Sequence, residues 1–96
     1  MRLNGKEIEA IRRTFREVYG EGNVYLFGSR LDDDARGGDI DLYLAPKRLS
    51  DEKHRLLSRF LLRLYERIGE QKIDCILAQD PSRPIEREAR EKGVPL

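Results

Sequence analysis

The sequence contains very few of the residues that form covalent or metal cross-links. Its 96 residues include one cysteine, one histidine and no tryptophan. The single thiol, Cys75, cannot form an internal disulfide, and there are too few cysteines and histidines for a four-ligand zinc site. The fold must therefore be held by a hydrophobic core. A chain of this length predicts one such core, in a single domain over residues 1–96.

Long apolar runs and an excess of charge of one sign are also missing. No stretch approaches the ~20 apolar residues of a transmembrane helix, and the N-terminus has no signal-peptide core. Basic and acidic residues number 19 and 18, so the net charge of +1 gives no general argument for binding nucleic acid. We expect a soluble, cytoplasmic protein that associates with no membrane and does not bind nucleic acid directly.

Hydrophobic periodicity predicts helices that alternate with strands. Asn4 and Glu7 have the spacing of a capping box, and Gly20 is a natural helix end. The predicted elements are a helix over 5–19, strand 24–27, a short helix over 29–36, strand 39–44, a long helix from Ser50 to Gly69, strand 72–78 and a helix from Pro84 to Gly93. This order, α-β-α-β-α-β-α, predicts an α/β fold with one small sheet flanked by helices.

The strand over 39–44 carries acidic residues on an otherwise apolar segment. Its alternation separates two faces, one with Ile40, Leu42 and Leu44 and the other with Asp39, Asp41 and Tyr43. Two like charges on one face repel each other and are costly to bury. A divalent cation would offset that cost, because Mg²⁺ prefers carboxylate oxygens. Asp74 would add a third carboxylate if its strand is a neighbour. The alternative is that these carboxylates face solvent on an exposed sheet surface.

A possible anion site precedes this strand. Gly28 and Ser29 lie where a strand gives way to a short helix, a geometry that presents backbone N–H groups to an anion. Glycine allows a phosphate to approach the backbone, serine adds a hydroxyl donor, and Arg30 could reach phosphate oxygens. A Gly-Ser pair alone carries little information. Followed by a nine-residue spacer and Asp-x-Asp on a strand, it is far more specific.

The stretch GSRLDDDARGGDIDL, residues 28–42, resembles the signature of the DNA polymerase β-like nucleotidyltransferase superfamily. The chain is most similar to its minimal nucleotidyltransferase (MNT) branch, short proteins often encoded beside a HEPN-domain partner. Asp74 in KIDCIL stands where the family has its third acid, and the tail PIEREAREKGVPL resembles the end of minimal members. The resemblance covers nearly the whole chain and implies the superfamily's palm, a small mixed sheet flanked by helices.

The resemblance also implies a role for each motif residue. Gly28 and Ser29, with Arg30 beside them, would bind the phosphates of a nucleoside triphosphate. Asp39, Asp41 and Asp74 would be the catalytic carboxylates and would hold Mg²⁺, with two ions expected, and Asp74 would also deprotonate the acceptor hydroxyl. The expected reaction is transfer of a nucleoside monophosphate, AMP from ATP, to a hydroxyl. The family favours a tyrosine of a HEPN toxin partner, which would make this chain an antitoxin of a toxin–antitoxin module.

Two other kinds of function remain open. The domain could be a non-catalytic antitoxin that neutralises its partner by contact, or a nucleotide sensor that uses the same pocket without an acceptor. The intact set of acids with Gly28 and Ser29 favours catalysis. Because the chain has no room for a separate acceptor-binding domain, we expect a protein partner or a homo-oligomer. Small-molecule acceptors are the less favoured alternative.

The long helix carries a row of arginines beside its apolar stripe. Ser50 is predicted to cap this helix, with Asp51 and Glu52 in its first turn. The row could dock an acidic partner or a nucleic-acid backbone, but a solvated face is the favoured interpretation. The arginines and their expected acidic partners are Arg55, Arg59, Arg63 and Arg67 with Glu52, Glu66 and Glu70.

Several other residues have a structural interpretation that is at least as good as a functional one. Leu62, on the polar side of the long helix, could belong to a protein interface. Tyr43 could contact the base or the acceptor, or simply pack at the edge of the core. Cys75 is expected in the core and His54 at the surface. The acidic run 32–34 is interpreted as helix N-terminal charge rather than a metal cluster.

Overall fold

The computed structural model describes residues 3–31 and 38–96, except for the side chain of Ser29. It contains three α-helices, a short 3₁₀ helix and a four-stranded sheet. In chain order these are α1 (Gly5–Tyr19), β1 (Gly22–Phe27), the 3₁₀ helix (Gly28–Leu31), β2 (Ile40–Pro46), α2 (Lys53–Ile68), β3 (Ile73–Leu77), α3 (Pro84–Lys92) and β4 (Val94–Pro95). The predicted strands and long helices are confirmed.

The sheet is mixed and has the strand order β3-β2-β1-β4. β1 pairs antiparallel with both β2 and β4, whereas β2 pairs parallel with β3. The parallel pair requires a crossover, which α2 supplies. The predicted α/β fold with a small sheet flanked by helices is therefore confirmed. The two-residue strand β4 was not predicted, because so short a segment has no periodicity to read.

The two faces of the sheet are covered differently. One face, here called the α1/α2 face, packs its aliphatic side chains against those two helices. The buried residues of this core are Ile11, Phe15, Val24, Leu26, Ile40, Leu42, Leu44, Phe60, Leu64, Ile73 and Leu77. The opposite face, here called the α3 face, is covered by α3 in a smaller cluster of Phe27, Tyr43 and Ala89. The predicted alternation of residues 39–44 is confirmed by this division.

Helix α1 begins and ends as predicted. The Glu7 N–H donates to Asn4 Oδ1 at 2.8 Å, and the Asn4 N–H donates to Glu7 Oε1 at 3.1 Å. At the other end the Gly20 N–H donates to the Arg16 carbonyl at 2.9 Å. Two of the N–H groups that a helix start leaves without a partner are thus satisfied locally.

The predicted start of the long helix is wrong by a few residues. α2 begins at Lys53 with Glu52 as its N-cap, and no acidic residue lies in its first turn. Ser50 Oγ accepts the N–H of Glu52 at 2.8 Å, in the turn that precedes the helix. Serine forms such local turns as readily as it caps helices, so its position alone did not determine the first helical residue. The predicted end at Gly69 is confirmed.

The arginine row is partly a helix–helix contact. Arg55 pairs with Glu52 at 3.0 Å, as expected. Arg63 and Arg67 instead reach Glu17 on α1, at 3.6 and 2.6 Å. Arg67 also donates to Thr14 Oγ1 at 2.9 Å. The expected pairing with Glu66 and Glu70 is therefore wrong: helix packing brings the Glu17 carboxylate within reach.

Part of the predicted short helix lies outside the described residues. Over the described part, the chain forms a 3₁₀ helix at Gly28–Leu31 rather than an α-helix that starts at Ser29. Residues 32–37, which include the acidic run 32–34, are not described. Among the described residues, no helix is both long and apolar enough to cross a bilayer.

Candidate functional site

Asp41 and Asp74 are neighbours on adjacent strands. They are direct partners in the parallel register of β2 and β3, and Phe27 at the end of β1 is the partner of Asp41 on its other side. Neighbouring strands lie ~4.8 Å apart, so side chains that share a face at the same register point in the same direction side by side. The sequence left open whether these strands are adjacent. The sheet order places them together.

The acidic residues lie at one end of the α3 face, beyond the cluster that α3 covers. Asp39 directly precedes β2 and its side chain is 31% exposed, Asp41 is half-buried, and Asp74 is exposed. The solvent-exposed interpretation therefore holds for Asp74 but not for Asp41. The carboxylates of Asp39, Asp41 and Asp74 line the end of this face, here called the acidic edge, which a ligand can approach from solvent.

Gly28 lies directly against the Asp41 carboxylate. Its φ of +77° is in the left-handed region that favours glycine. A methyl group on Gly28 would overlap Oδ2 of Asp41 and lie 3.0 Å from its Cγ. The Gly-Ser turn and the Asp-x-Asp strand, which are separated in sequence, thus meet in space. The side chain of Ser29 lies outside the described residues, so its predicted phosphate-binding role stays a prediction.

The surroundings of Asp41 disfavour its negative charge. Partial burial, and then the carboxylates of Asp74 and Asp39, raise the pKa of Asp41, and Lys72 acts in the opposite direction. Among the described residues no donor hydrogen-bonds to the Asp41 carboxylate. Three acids are thus close enough to repel one another, and a cation would relieve this repulsion.

Lys72 supplies a positive charge at this edge. Its Nζ lies 3.3 Å from Asp39 Oδ2, and its side chain is 76% exposed. Sequence reasoning did not assign Lys72 to the site. The signal was nevertheless present, because strand alternation places Lys72 and Asp74 on the same face. The Lys72 carbonyl also accepts the Ile40 N–H at 3.0 Å, which holds the two strand starts together.

Arg30 lies across the starts of the same two strands. Its Nε donates to the Gly38 carbonyl at 3.4 Å, and its Nη2 donates to Gln71 Oε1 at 3.5 Å. Gln71 in turn donates through Nε2 to Glu7 Oε2 on α1 at 3.1 Å. The guanidinium predicted to bind phosphate is thus located beside Asp39, and Gln71 connects it to the start of α1.

The acidic set has the chemistry of a divalent-cation site but not its finished geometry. Within residues 3–31 and 38–96, no three His, Cys, Asp or Glu side chains converge as a metal-binding group. Carboxylate oxygens are nevertheless the ligands that Mg²⁺ prefers, and the absence of a side chain at Gly28 lets the Asp41 carboxylate lie against the backbone there. Asp39 is engaged by Lys72 instead. The residues fit a hard divalent cation, provided that Asp39 exchanges Lys72 for the metal.

A second carboxylate on the α3 face was missed by sequence reasoning. Glu86, in the first turn of α3, is fully buried. Its oxygens accept hydrogen bonds from the Tyr43 hydroxyl and the Gln79 N–H, both at 3.1 Å, and from the Asp80 N–H at 2.9 Å. Arg83 pairs with it at 3.3 Å. An acid early in a helix is common, so its position gave no signal of burial.

Of the two interpretations of Tyr43, the structure favours packing. Its side chain is buried under α3, 2% exposed, and its hydroxyl donates to Glu86. It therefore does not face the acidic edge.

The structure also shows the surroundings of Cys75, His54 and Leu62. Cys75 packs against the α1/α2 core, and burial, followed by the charges of Asp74 and Asp41, raises the pKa of its thiol to about 12. His54 is exposed, as expected. Leu62 is 63% exposed, which leaves its predicted interface role open.

No family model, curated protein or solved structure matches this chain. The proposed function therefore rests on the contacts of the acidic edge and on the motif of residues 28–42.

Proposed function

We propose that this domain is a Mg²⁺-dependent nucleotidyltransferase with a polymerase β-like palm. It transfers a nucleoside monophosphate, AMP from ATP, to a hydroxyl. One observation carries the proposal: Asp41 and Asp74 are in register on adjacent strands, and Gly28 lies against Asp41. The resemblance of residues 28–42 to the superfamily signature supplies the reaction class.

Each residue at the edge has a chemical task in this reaction. The backbone at Gly28 and Ser29 and the guanidinium of Arg30 bind the triphosphate and orient its α-phosphorus. Asp39, Asp41 and Asp74 hold the divalent cations, which when bound neutralise charge that develops on the phosphoryl oxygens. Because the reaction needs little covalent chemistry from the protein, positioning and charge neutralisation supply most of the rate enhancement.

The bond changes balance without a further reactant. The acceptor oxygen forms a bond to the α-phosphorus, and the bond from that phosphorus to the bridging oxygen breaks, which releases pyrophosphate. The acceptor proton passes to Asp74. This residue is exposed at the edge of the sheet, so an acceptor that approaches from solvent can reach it.

The acceptor is proposed to be a tyrosine of a HEPN-domain protein. Modification would silence that protein as a toxin, and this chain would act as the antitoxin. The open acidic edge supports a macromolecular acceptor, since Asp74 is exposed and α3 covers only the opposite end of the same face. A partner protein, or another copy of the chain, would then complete the acceptor surface.

The first test is calorimetric titration of α,β-methylene-ATP with and without Mg²⁺. We expect the wild type to bind only with the metal and Asp41→Asn to remain folded but lose this binding, because a ligand charge is removed. Asp51→Asn is the matched control, since it makes the same change at an exposed turn residue. The site assignment would be contradicted if the wild type bound the nucleotide equally well without Mg²⁺, or if Asp41→Asn bound it as tightly as the wild type.

A second measurement separates transfer from sensing or simple contact. The label of [α-³²P]ATP should be transferred to a purified HEPN partner, and pyrophosphate should be released. A partner variant in which the acceptor tyrosine is replaced by phenylalanine should stay unlabelled. Mg²⁺-dependent binding without pyrophosphate release would favour the nucleotide sensor. Neutralisation of the partner by Asp41→Asn would favour the non-catalytic antitoxin.

A further inference from the structure

The ion pair between Lys72 and Asp39 places a cation on a residue that the proposed function assigns to a metal. The Nζ–Oδ2 distance is 3.3 Å, and Lys72 also acts electrostatically on Asp41. An ammonium group and a divalent cation cannot both pair closely with one carboxylate without repelling each other. Metal binding at Asp39 therefore weakens the Lys72–Asp39 pair and favours departure of Lys72.

The structure makes this exchange inexpensive. The Lys72 side chain is 76% exposed and that of Asp39 is 31% exposed, and ion pairs at the protein surface contribute ~1 kcal/mol or less. Its flexible four-carbon stem lets the amine move by several ångströms while the backbone stays fixed by the bond from the Ile40 N–H. The amine starts from the face that also carries Asp74, so it can leave Asp39 and still reach a ligand bound at the acidic edge.

We propose that Lys72 is a nucleotide-binding residue that exchanges partners: it pairs with Asp39 when no divalent cation is bound and with the triphosphate when the cation is bound. This inference rests on the proposed function and adds a residue that the superfamily signature does not contain. The phosphates are the nearest strong anions once the metal has neutralised the aspartates. Together with Arg30, Lys72 would place two cationic side chains around the substrate.

The exchange predicts two effects of opposite sign for Lys72→Gln. Without nucleotide, the variant removes a competitor for Asp39, so Mn²⁺ should bind about two- to fivefold more tightly. At saturating metal, the variant removes a charged contact to phosphate, so α,β-methylene-ATP should bind about tenfold more weakly. A lysine with only a structural role would not change the two affinities in opposite directions.

The experiment measures both affinities on the same preparations, Mn²⁺ by electron paramagnetic resonance and the nucleotide by calorimetry. Lys72→Arg retains the charge and should stay close to the wild type in both. Lys47→Gln is the control, because Lys47 also pairs with a carboxylate, that of the more exposed Glu21 at 3.1 Å, at the far end of β2. Thermal unfolding of each variant confirms that the fold is retained.

The outcomes separate this inference from the proposed function. Opposite shifts in Lys72→Gln, absent from Lys47→Gln, support the exchange. If the wild type binds Mg²⁺–nucleotide through Asp41 but Lys72→Gln changes neither affinity, or weakens both, the exchange is wrong and the proposed function stands. If the wild type binds neither metal nor nucleotide, both are wrong.

Discussion

The two ends of the α3 face hold their carboxylates in opposite ways. Glu86 is fully buried, yet four donors surround its oxygens, those of Tyr43, Gln79, Asp80 and Arg83. Asp41 is only half-buried, yet it lies near Asp39 and Asp74, and no donor among the described residues hydrogen-bonds to its carboxylate. The more buried of the two carboxylates is thus the one with hydrogen-bond partners, so the degree of burial does not predict which carboxylate lacks them.

The two pKa shifts express the same contrast. Burial acts to raise the pKa of Glu86, but the hydrogen bonds from Asp80, Gln79 and Tyr43 and the charge of Arg83 outweigh it and lower the pKa. At Asp41, burial and the neighbouring carboxylates act in the same direction and raise the pKa. A satisfied carboxylate stabilises the fold, whereas an unsatisfied one has capacity left to bind a ligand.

The largest expected effect is on stability and concerns Glu86, the carboxylate whose oxygens are hydrogen-bonded. Glu86→Gln should lower the free energy of unfolding by about 2–3 kcal/mol, because the amide keeps only one acceptor oxygen and its NH2 group faces donors that then have no acceptor. Urea denaturation measures this. Glu88→Gln, which changes an exposed glutamate of the same helix, should stay within about 0.5 kcal/mol of the wild type. Equal effects of the two variants would contradict the structural role of Glu86.

The difference in the free energy of unfolding between the wild type and Glu86→Gln depends on pH, and the pKa of Glu86 determines the direction of this dependence. The folded-state pKa of Glu86 lies below its unfolded value of about 4.3, so its stabilising contribution is present above that pH. It is lost as the pH falls through the folded-state pKa. The free energy of unfolding of the wild type should therefore exceed that of Glu86→Gln by a constant amount from pH 5 to 7 and by less below about pH 4.

The next effect concerns the contact between Gly28 and Asp41. Gly28→Ala should cost about 2 kcal/mol, in part from the positive φ and in part from overlap with the carboxylate. Gly20→Ala separates the two parts, since Gly20 has nearly the same φ, +78°, and open space around its Cβ position. Repeating Gly28→Ala in an Asp41→Ala background should remove most of the cost of overlap, because only the Cβ of residue 41, 3.2 Å away, remains. Equal costs in both backgrounds would show that the two residues do not touch.

The smallest effect has the opposite sign. Asp41→Asn should raise the free energy of unfolding by about 0.5–1 kcal/mol at pH 7, because it removes one of three repelling charges. The folded-state pKa of Asp41 is raised, so the native carboxylate destabilises the fold above that pKa and stops doing so as the pH falls towards about 3.9. Denaturation at pH 7 and pH 4 should show the advantage of the variant disappearing. A destabilised variant at pH 7 would contradict the repulsion.

The elements of the fold could be predicted because their signals are local. The capping pair Asn4 and Glu7, the helix ends at Gly20 and Gly69 and the alternation of residues 39–44 each depend on side chains a few positions apart. The start of α2 was missed because Ser50 can serve either a turn or a cap. Local patterns thus determine which elements form, with an uncertainty of a few residues at their ends.

Contacts between elements could not be predicted from such local patterns. The Glu17–Arg67 pair joins residues fifty positions apart, and the burial of Glu86 depends on where α3 packs. Sequence alternation placed Asp39 and Asp41 on one face and Lys72 and Asp74 on one face, but it did not say whether these faces coincide. That depended on which strands are neighbours, a question of long-range pairing.

The sequence by itself determined the acidic strand, the Gly-Ser turn before it and the α/β order of the elements, because helix and strand periods are properties of neighbouring residues. Only the tertiary structure decided that Asp74 stands beside Asp41, that Gly28 lies against that carboxylate and that Lys72 pairs with Asp39. The reason is physical: strand order and register minimise the free energy of the whole core, to which every element contributes at once.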